Sequence, residues 1–172
     1  MSISVTNFGE YTVKNVKSFM GREGLGFNCN LYRKNKKVAF CFDDAGGGDA
    51  CINWIEGGYD GEESQLLKKH IATLPAIKSE YTDQFLTISM DWFVTDCVSK
   101  WEQNRDIRKM KRQCQTKTLF KASKYKNRQY TILNVPYSNS TKQRIQDKYD
   151  KDVEIFNDVL AKGDIPSVLI AN

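Results

Sequence analysis

Apolar and polar positions alternate through the first third of the chain. Phe27, Cys29 and Leu31 fall on one side of an extended segment, and Asn28, Asn30 and Tyr32 on the other. This is the period of a half-buried strand. A polar loop at 33–37 leads into a return strand at 38–42, where Val38, Phe40 and Phe42 share a face. Upstream, Tyr11, Thr12 and Val13 begin a strand that passes through Val16 and Phe19 to a Gly-punctuated turn at 20–24. Downstream, 51–55 forms a fourth strand beyond the loop 43–49. That loop holds three consecutive glycines, whose backbone entropy is too costly for the interior of an element. Connections this short predict an antiparallel meander, because parallel strands need long crossovers.

The period then changes. Leu66, Leu67, His70, Ile71 and Leu74 make one helical stripe, with Glu62 and Glu63 in the first turn and Pro75 as the stop. A long, central helix is expected over 83–112. Leu86, Met90, Phe93, Cys97 and Trp101 form its first stripe, and Phe85, Ile88 and Trp92 a second. Beyond Trp101 the first stripe continues as Asn104, Arg108 and Lys111, which cannot be core, so the second half leaves the core or covers its rim.

Strands return at 116–122 and 130–135, separated by a polar turn and ended by Pro136. Ser138, Asn139, Ser140 and Thr141 offer N-caps for a final helix over 142–161. Its stripe is Ile145, Tyr149, Val153, Phe156 and Leu160, with Gly163 just past its end. The apolar tail 165–170 either docks on the domain or pairs at a sheet edge. The order β-β-β-β-α-α-β-β-α is α+β: an antiparallel sheet, made of a four-strand N-terminal meander plus a C-terminal hairpin, covered by about three helices. The length of 172 residues fits a single domain, 1–172.

Composition narrows the classes of function. No apolar run is long enough to span a bilayer. The first ten residues lack the basic start and apolar stretch of a secretory signal, so a cytoplasmic protein is expected. The five cysteines are odd in number and none sit at C-x-x-C spacing, which argues against a disulfide framework or a zinc site. Cys29, Cys41 and Cys97 lie on apolar faces and read as small core residues. The single histidine, His70, lies in its helix's apolar stripe and reads as structural.

Two loops could in principle carry chemistry. Asp43, Asp44 and Asp49 are oxygen donors on a flexible glycine loop, but their spacing does not match a calcium loop, and Gly and Asp are ordinary turn residues. Gly21, Gly24 and Gly26 fit neither a dinucleotide nor a P-loop pattern and join strand to strand, without the helix N-terminus that cradles phosphate. No metal and no cofactor is implied. No catalytic spacing is present either, so the residues point to binding rather than to an enzyme.

Charge is the strongest signal. Net charge is +5. Arg105, Arg108, Lys109, Lys111, Arg112, Lys117, Lys121, Lys124, Lys126 and Arg128 are opposed within their segment only by Asp106, so 105–128 carries +9 and the rest of the chain −4. Arg105, Arg108, Lys109 and Arg112 stand at i, i+3, i+4 and i+7, one helix face. Tyr125 and Tyr130 are interleaved. Clustered cations with aromatics suit a phosphate backbone and stacked bases. The plainer alternative is a solvated positive face, or one that pairs with the protein's own acidic half.

The run Val16, Lys17, Ser18, Phe19, Met20, Gly21, Arg22, Glu23, Gly24, the later Asp43 and Asp44 with their glycines, and Lys117, Thr118, Leu119, Phe120 before the closing elements give the chain a resemblance. It resembles small accessory proteins encoded by bacteriophages and prophages. That resemblance implies a viral protein in the cytoplasm of a bacterial host. It also implies either nucleic-acid handling or interference with a host or defence protein.

The expected function is therefore binding to nucleic acid or another polyanion through 105–128, including Tyr125. The alternative is an inhibitor or anti-defence protein whose basic face meets an acidic host protein, or a protein that sequesters a small anionic nucleotide. One chemical outcome follows directly. Mass spectrometry of protein alkylated without prior reduction should count five modified thiols, and a stable bridge would contradict the reducing-compartment reading.

Overall fold

In the computed structural model, residues 5–78, 84–124, 129–149 and 151–170 are described. The architecture is mixed α+β, as the pattern predicts. Among the described residues, contacts gather into two compact units, one up to Trp101 and one from Glu102 onward.

The first unit opens with the meander. Strands β1 (Tyr11–Met20), β2 (Leu25–Arg33), β3 (Lys36–Asp43) and β4 (Cys51–Trp54) pair antiparallel in sequence order. Cys29 pairs with Cys41 and Cys41 with Ile52, while Leu31 pairs with Ala39 and Ala39 with Trp54. These residues, with Tyr11, Val13 and Phe27, form the inner face. A register shift between Leu31 and Tyr32 leaves Val38 buried as well. Val38, Phe40 and Phe42 therefore do not share a face as expected, because the shift turns Val38 inward. Ala39 and Cys41 point inward, and Phe40 and Phe42 point to the outer side. A side-chain period of two forces this once Cys29 and Leu31 are buried.

Helix α1 (Glu62–Ile71) and the first half of α2 (Met90–Cys114) share that core. Phe93 is fully buried, with its ring 5.8 Å from Phe8, 5.8 Å from Tyr11 and 5.6 Å from His70. His70 also places Nε2 3.2 Å from the Asn7 carbonyl, a structural setting. Glu63 is more than a favourable first-turn acid. It is buried and receives the Arg33 guanidinium through two hydrogen bonds, at 2.7 and 2.9 Å, which tie β2 to α1. On α2, the buried Asp96 accepts the Val5 amide at 2.7 Å.

The long helix starts later than its stripes suggest. Phe85 and Leu86 form a two-residue strand, β6, paired with β5 (Ile77–Lys78), and both side chains are exposed. The Ser89 hydroxyl accepts the Trp92 amide at 3.4 Å, so Ser89 caps the helix and the β-branched Thr87 and Ile88 stay outside it. The expected start at 83 lies outside the described residues. Met90, Phe93, Cys97 and Trp101 do line the core, although Trp101 is only half-buried.

The second unit has its own core. The second half of α2 does not merely leave the first core, because Ile107, Met110 and Cys114 form a new stripe that packs with Leu119, Phe156, Leu160 and Val168. Strand β7 (Thr118–Lys121) is central, between β8 (Thr131–Leu133) and β9 (Glu154–Ile155). The single final helix expected over 142–161 is instead two helices. α3 (Asn139–Lys148) ends near Tyr149, β9 takes an edge of β7, and α4 (Phe156–Ala161) follows. Tyr149 packs on Phe120 with centroids 5.0 Å apart. The stripe from Ile145 to Leu160 is real as burial, but pairing of Ile155 with Phe120 overrides helical continuity.

The local signals hold where they are sterically specific. Ser138 caps α3 by accepting the Thr141 amide at 3.1 Å. Gly163 adopts φ 85° and completes a Schellman turn, with its amide to Leu160 O and the Asp164 amide to Val159 O. The tail docks. Pro166 and Val168 are buried, and Glu154 accepts both the amide and the hydroxyl of Ser167.

Cys29, Cys41 and Cys97 are buried, Cys114 is half-buried and Cys51 exposed. The Cys29–Cys41 hydrogen bond and burial push the Cys41 thiol up, and burial does the same for Cys97. These thiols stay protonated and poorly nucleophilic.

Two stability outcomes follow. Phe93→Ala should cost roughly 3–5 kcal/mol, Trp101→Ala less because it is half-exposed, and Arg108→Ala under about 0.5 kcal/mol. Urea titrations giving equal losses at Phe93 and Arg108 would contradict this core assignment. The second outcome concerns Glu63, whose carboxyl the Arg33 hydrogen bonds hold below its ordinary value. A depressed carboxyl contributes stability that is complete above its unfolded-state value and is lost as pH falls through the folded one. Glu63→Gln should cost about 1–3 kcal/mol at neutral pH. The loss should shrink towards zero as pH drops below the carboxylate range.

Candidate nucleic-acid interface

Charge divides along the two units. Residues 3–101 hold 11 basic and 13 acidic side chains, a net −2, whereas 102–172 hold 15 and eight, a net +7. The basic segment therefore belongs wholly to the second unit.

Helix α2 displays the densest part of it. Arg105, Arg108, Lys109, Lys111 and Arg112 are all exposed. At 100° per residue Arg105, Arg108, Lys109 and Arg112 fan over the side opposite Ile107, Met110 and Cys114, which are buried or half-buried in the core, while Lys111 flanks that stripe beside Ile107. The burial of the apolar stripe thus dictates where the cations point. Arg105 is not wholly available, because its guanidinium donates to Asp106 at 3.1 Å.

The turn that follows is held rigidly. Asn157, nearly buried on α4, accepts the Leu119 amide at 2.9 Å and donates to the carbonyls of Lys117 at 2.9 Å and Cys114 at 3.2 Å. One fully used amide thereby clamps the end of α2 to the start of β7 and sets the direction of Lys117. Sequence reasoning missed Asn157, since a buried Asn inside an apolar stripe carries no local signal of its distant partners.

The remaining cations are spread further along. Lys117 and Lys121 are half-buried, and Lys121 pairs in register with Glu154. Lys124 is exposed, with its ammonium 4.8 Å from the Tyr149 ring. Tyr125, Lys126 and Arg128 lie outside the described residues. Tyr130 packs against Phe156 with centroids 5.4 Å apart, so its ring serves the core. The structure thus places five cations together on α2 and sets Lys121 and Lys124 at the far end of β7.

The other sequence candidates resolve into structure. Asp43 accepts the Ala45 amide at 2.7 Å and Asp44 the Gly46 amide at 2.9 Å, so these carboxylates stabilise their own turn. In the 21–26 segment, residues 21–24 form the β1–β2 turn and Leu25 and Gly26 already pair in β2, with Gly21 N donating to Gly24 O and Glu23 N to Ala45 O. Among the described residues, no group of three or more His, Cys, Asp or Glu is placed to hold a metal. No helix among them is long and apolar enough to cross a membrane.

The first unit also contains a cavity of about 640 Å³ between β4, α1 and the start of α2. Trp54, Ile71 and Met90 supply apolar walls, and Asp49, Asp91 and Lys68 supply charge. The Lys68 ammonium sits 3.6 Å from the Tyr59 ring centroid. Two carboxylates against one such lysine do not suit a nucleotide phosphate.

Comparison of the chain with protein-family models, with curated proteins and with solved structures finds no match.

Proposed function

We propose that this protein binds the phosphate backbone of nucleic acid, or a polyanion of similar charge spacing, through the exposed face of α2. One observation carries the reading: four cations, Arg105, Arg108, Lys109 and Arg112, are exposed opposite a buried stripe of the same helix, with Lys111 exposed at its flank. A helix so anchored presents its cations on a stiff support. Binding then costs little backbone ordering, and each phosphate neutralised releases counterions. The negative balance of residues 3–101 makes the cationic segment a local feature rather than a property of the whole surface.

Such contacts position a duplex without reading its sequence, so affinity should depend on salt more than on base composition. Among the described residues Arg108, Lys109 and Arg112 form no ion pair, whereas Arg105 already has Asp106. Replacing Arg105, Arg108, Lys109 and Arg112 together by Gln should reduce the log–log salt slope on duplex DNA by roughly three units. Gln retains helix propensity, so folding should survive. Fluorescence anisotropy with a labelled duplex at several salt concentrations measures the slope. A wild-type protein that leaves the duplex unbound at low salt, or a quadruple variant with the wild-type slope, would overturn the proposal.

A further inference from the structure

The outer face of the β1–β4 sheet has a composition that its fold does not require. The solvent face of an antiparallel sheet is ordinarily polar. Here Phe40 is 39% exposed and Phe42 half-exposed, with their rings stacked at 6.1 Å and 27°. Phe19 is 40% exposed on the same face, opposite Gly26. A Cβ at Gly26 would come within 2.7 Å of the Phe19 ring, so the glycine lets that ring lie across β2.

The flanking positions are amides and cations. Asn28 pairs with Phe42, and Asn30 and Asn53 pair with Phe40 on either side. None of these three side-chain amides has a hydrogen-bond partner among the described residues. Lys14, Lys17 and Lys37 share the outer face by register, and Lys14 stands 4.5 Å from the Tyr32 ring centroid. No acidic side chain occupies a strand position of this face in the same register.

We infer that this face is a second binding surface, a stacking platform for single-stranded nucleic acid. Exposed rings offer π-faces to unstacked bases, free amides offer donors and acceptors to base edges, and lysines meet the phosphates. Charge complementarity selects this occupant over a second copy of the chain, whose own three lysines would oppose these. The surface is independent of the α2 face and involves a different contact, since bases inside a duplex cannot reach the rings.

The test uses the full chain and fluorescein-labelled oligothymidylate and oligouridylate of about 12 nucleotides, beside a duplex of equal length. Wild-type protein should bind the single strands, and Phe40→Ala and Phe42→Ala should each weaken that binding by about tenfold. Phe40→Tyr should keep it, because the ring is retained. Duplex binding should be unchanged in all three variants. Phe40 is exposed, so its variants should melt like the wild type, and Phe40→Ala decides the matter if Phe42→Ala does not fold. Failure of wild-type protein to bind single strands at low salt would overturn the inference, as would a Phe40→Ala variant that binds them like the wild type. Duplex binding that persists in either case leaves the α2 proposal standing. A tenfold Phe40→Ala effect alongside an unaltered salt slope in the α2 quadruple variant would sustain this surface and remove the other.

Discussion

The pairing of Cys29 with Cys41, and of Leu31 with Ala39, sets the parity of the N-terminal sheet. Once Cys29 and Leu31 are committed to the core, every neighbouring strand must present its matching positions inward. Small residues, Ala39, Cys29 and Cys41, then share the interior with the large side chains of Leu31, Leu67 and Phe93. The consequence on the opposite face is that Phe40 and Phe42, the most apolar residues of β3, turn towards solvent. A slip of β3 by one residue would bury them and expose Ala39 and Cys41, at the cost of a core that α1 and α2 already fill.

The helix α2 carries a second constraint of the same kind. Its first half contributes Phe93, Val94, Cys97 and Val98 to one core, and its second half contributes Met110 to another. The two buried faces belong to different cores along one continuous helix. Burial of Met110 and the clamp supplied by Asn157 leave Arg108, Lys109 and Arg112 no inward option. The cations are thus positioned by what lies behind them rather than by any partner of their own.

Both surfaces therefore arise as the reverse side of a packing decision. The cationic face is the back of an apolar helical stripe, and the aromatic face is the back of a sheet whose inner side sets small residues such as Ala39 and Cys41 among Tyr11, Phe27 and Leu31. They differ in chemistry. The first offers point charges on a rigid rod, suited to the regular spacing of a phosphate backbone. The second offers flat rings and unpaired amides, suited to exposed bases. The cavity beside Trp54, with its two carboxylates, belongs to neither, although the buried Trp54 Nε1 has no hydrogen-bond partner among the described residues.

The amino-acid sequence by itself determined the α+β class, the antiparallel meander, a helix cap within 138–141, the turn at Gly163 and the clustering of cations at 105–112. These follow from side-chain period, from charge, or from conformations that few residues adopt, all of which act over short distances. The tertiary structure alone decided that Phe40 and Phe42 face outward, since parity depends on which strand position meets the helices. It alone split the stripe from Ile145 to Leu160 into α3, β9 and α4, because Phe120 supplies a strand partner that no local pattern announces. It alone gave Asn157 its three bonds and Glu63 its arginine, because a buried polar residue is explained by groups far away in the chain.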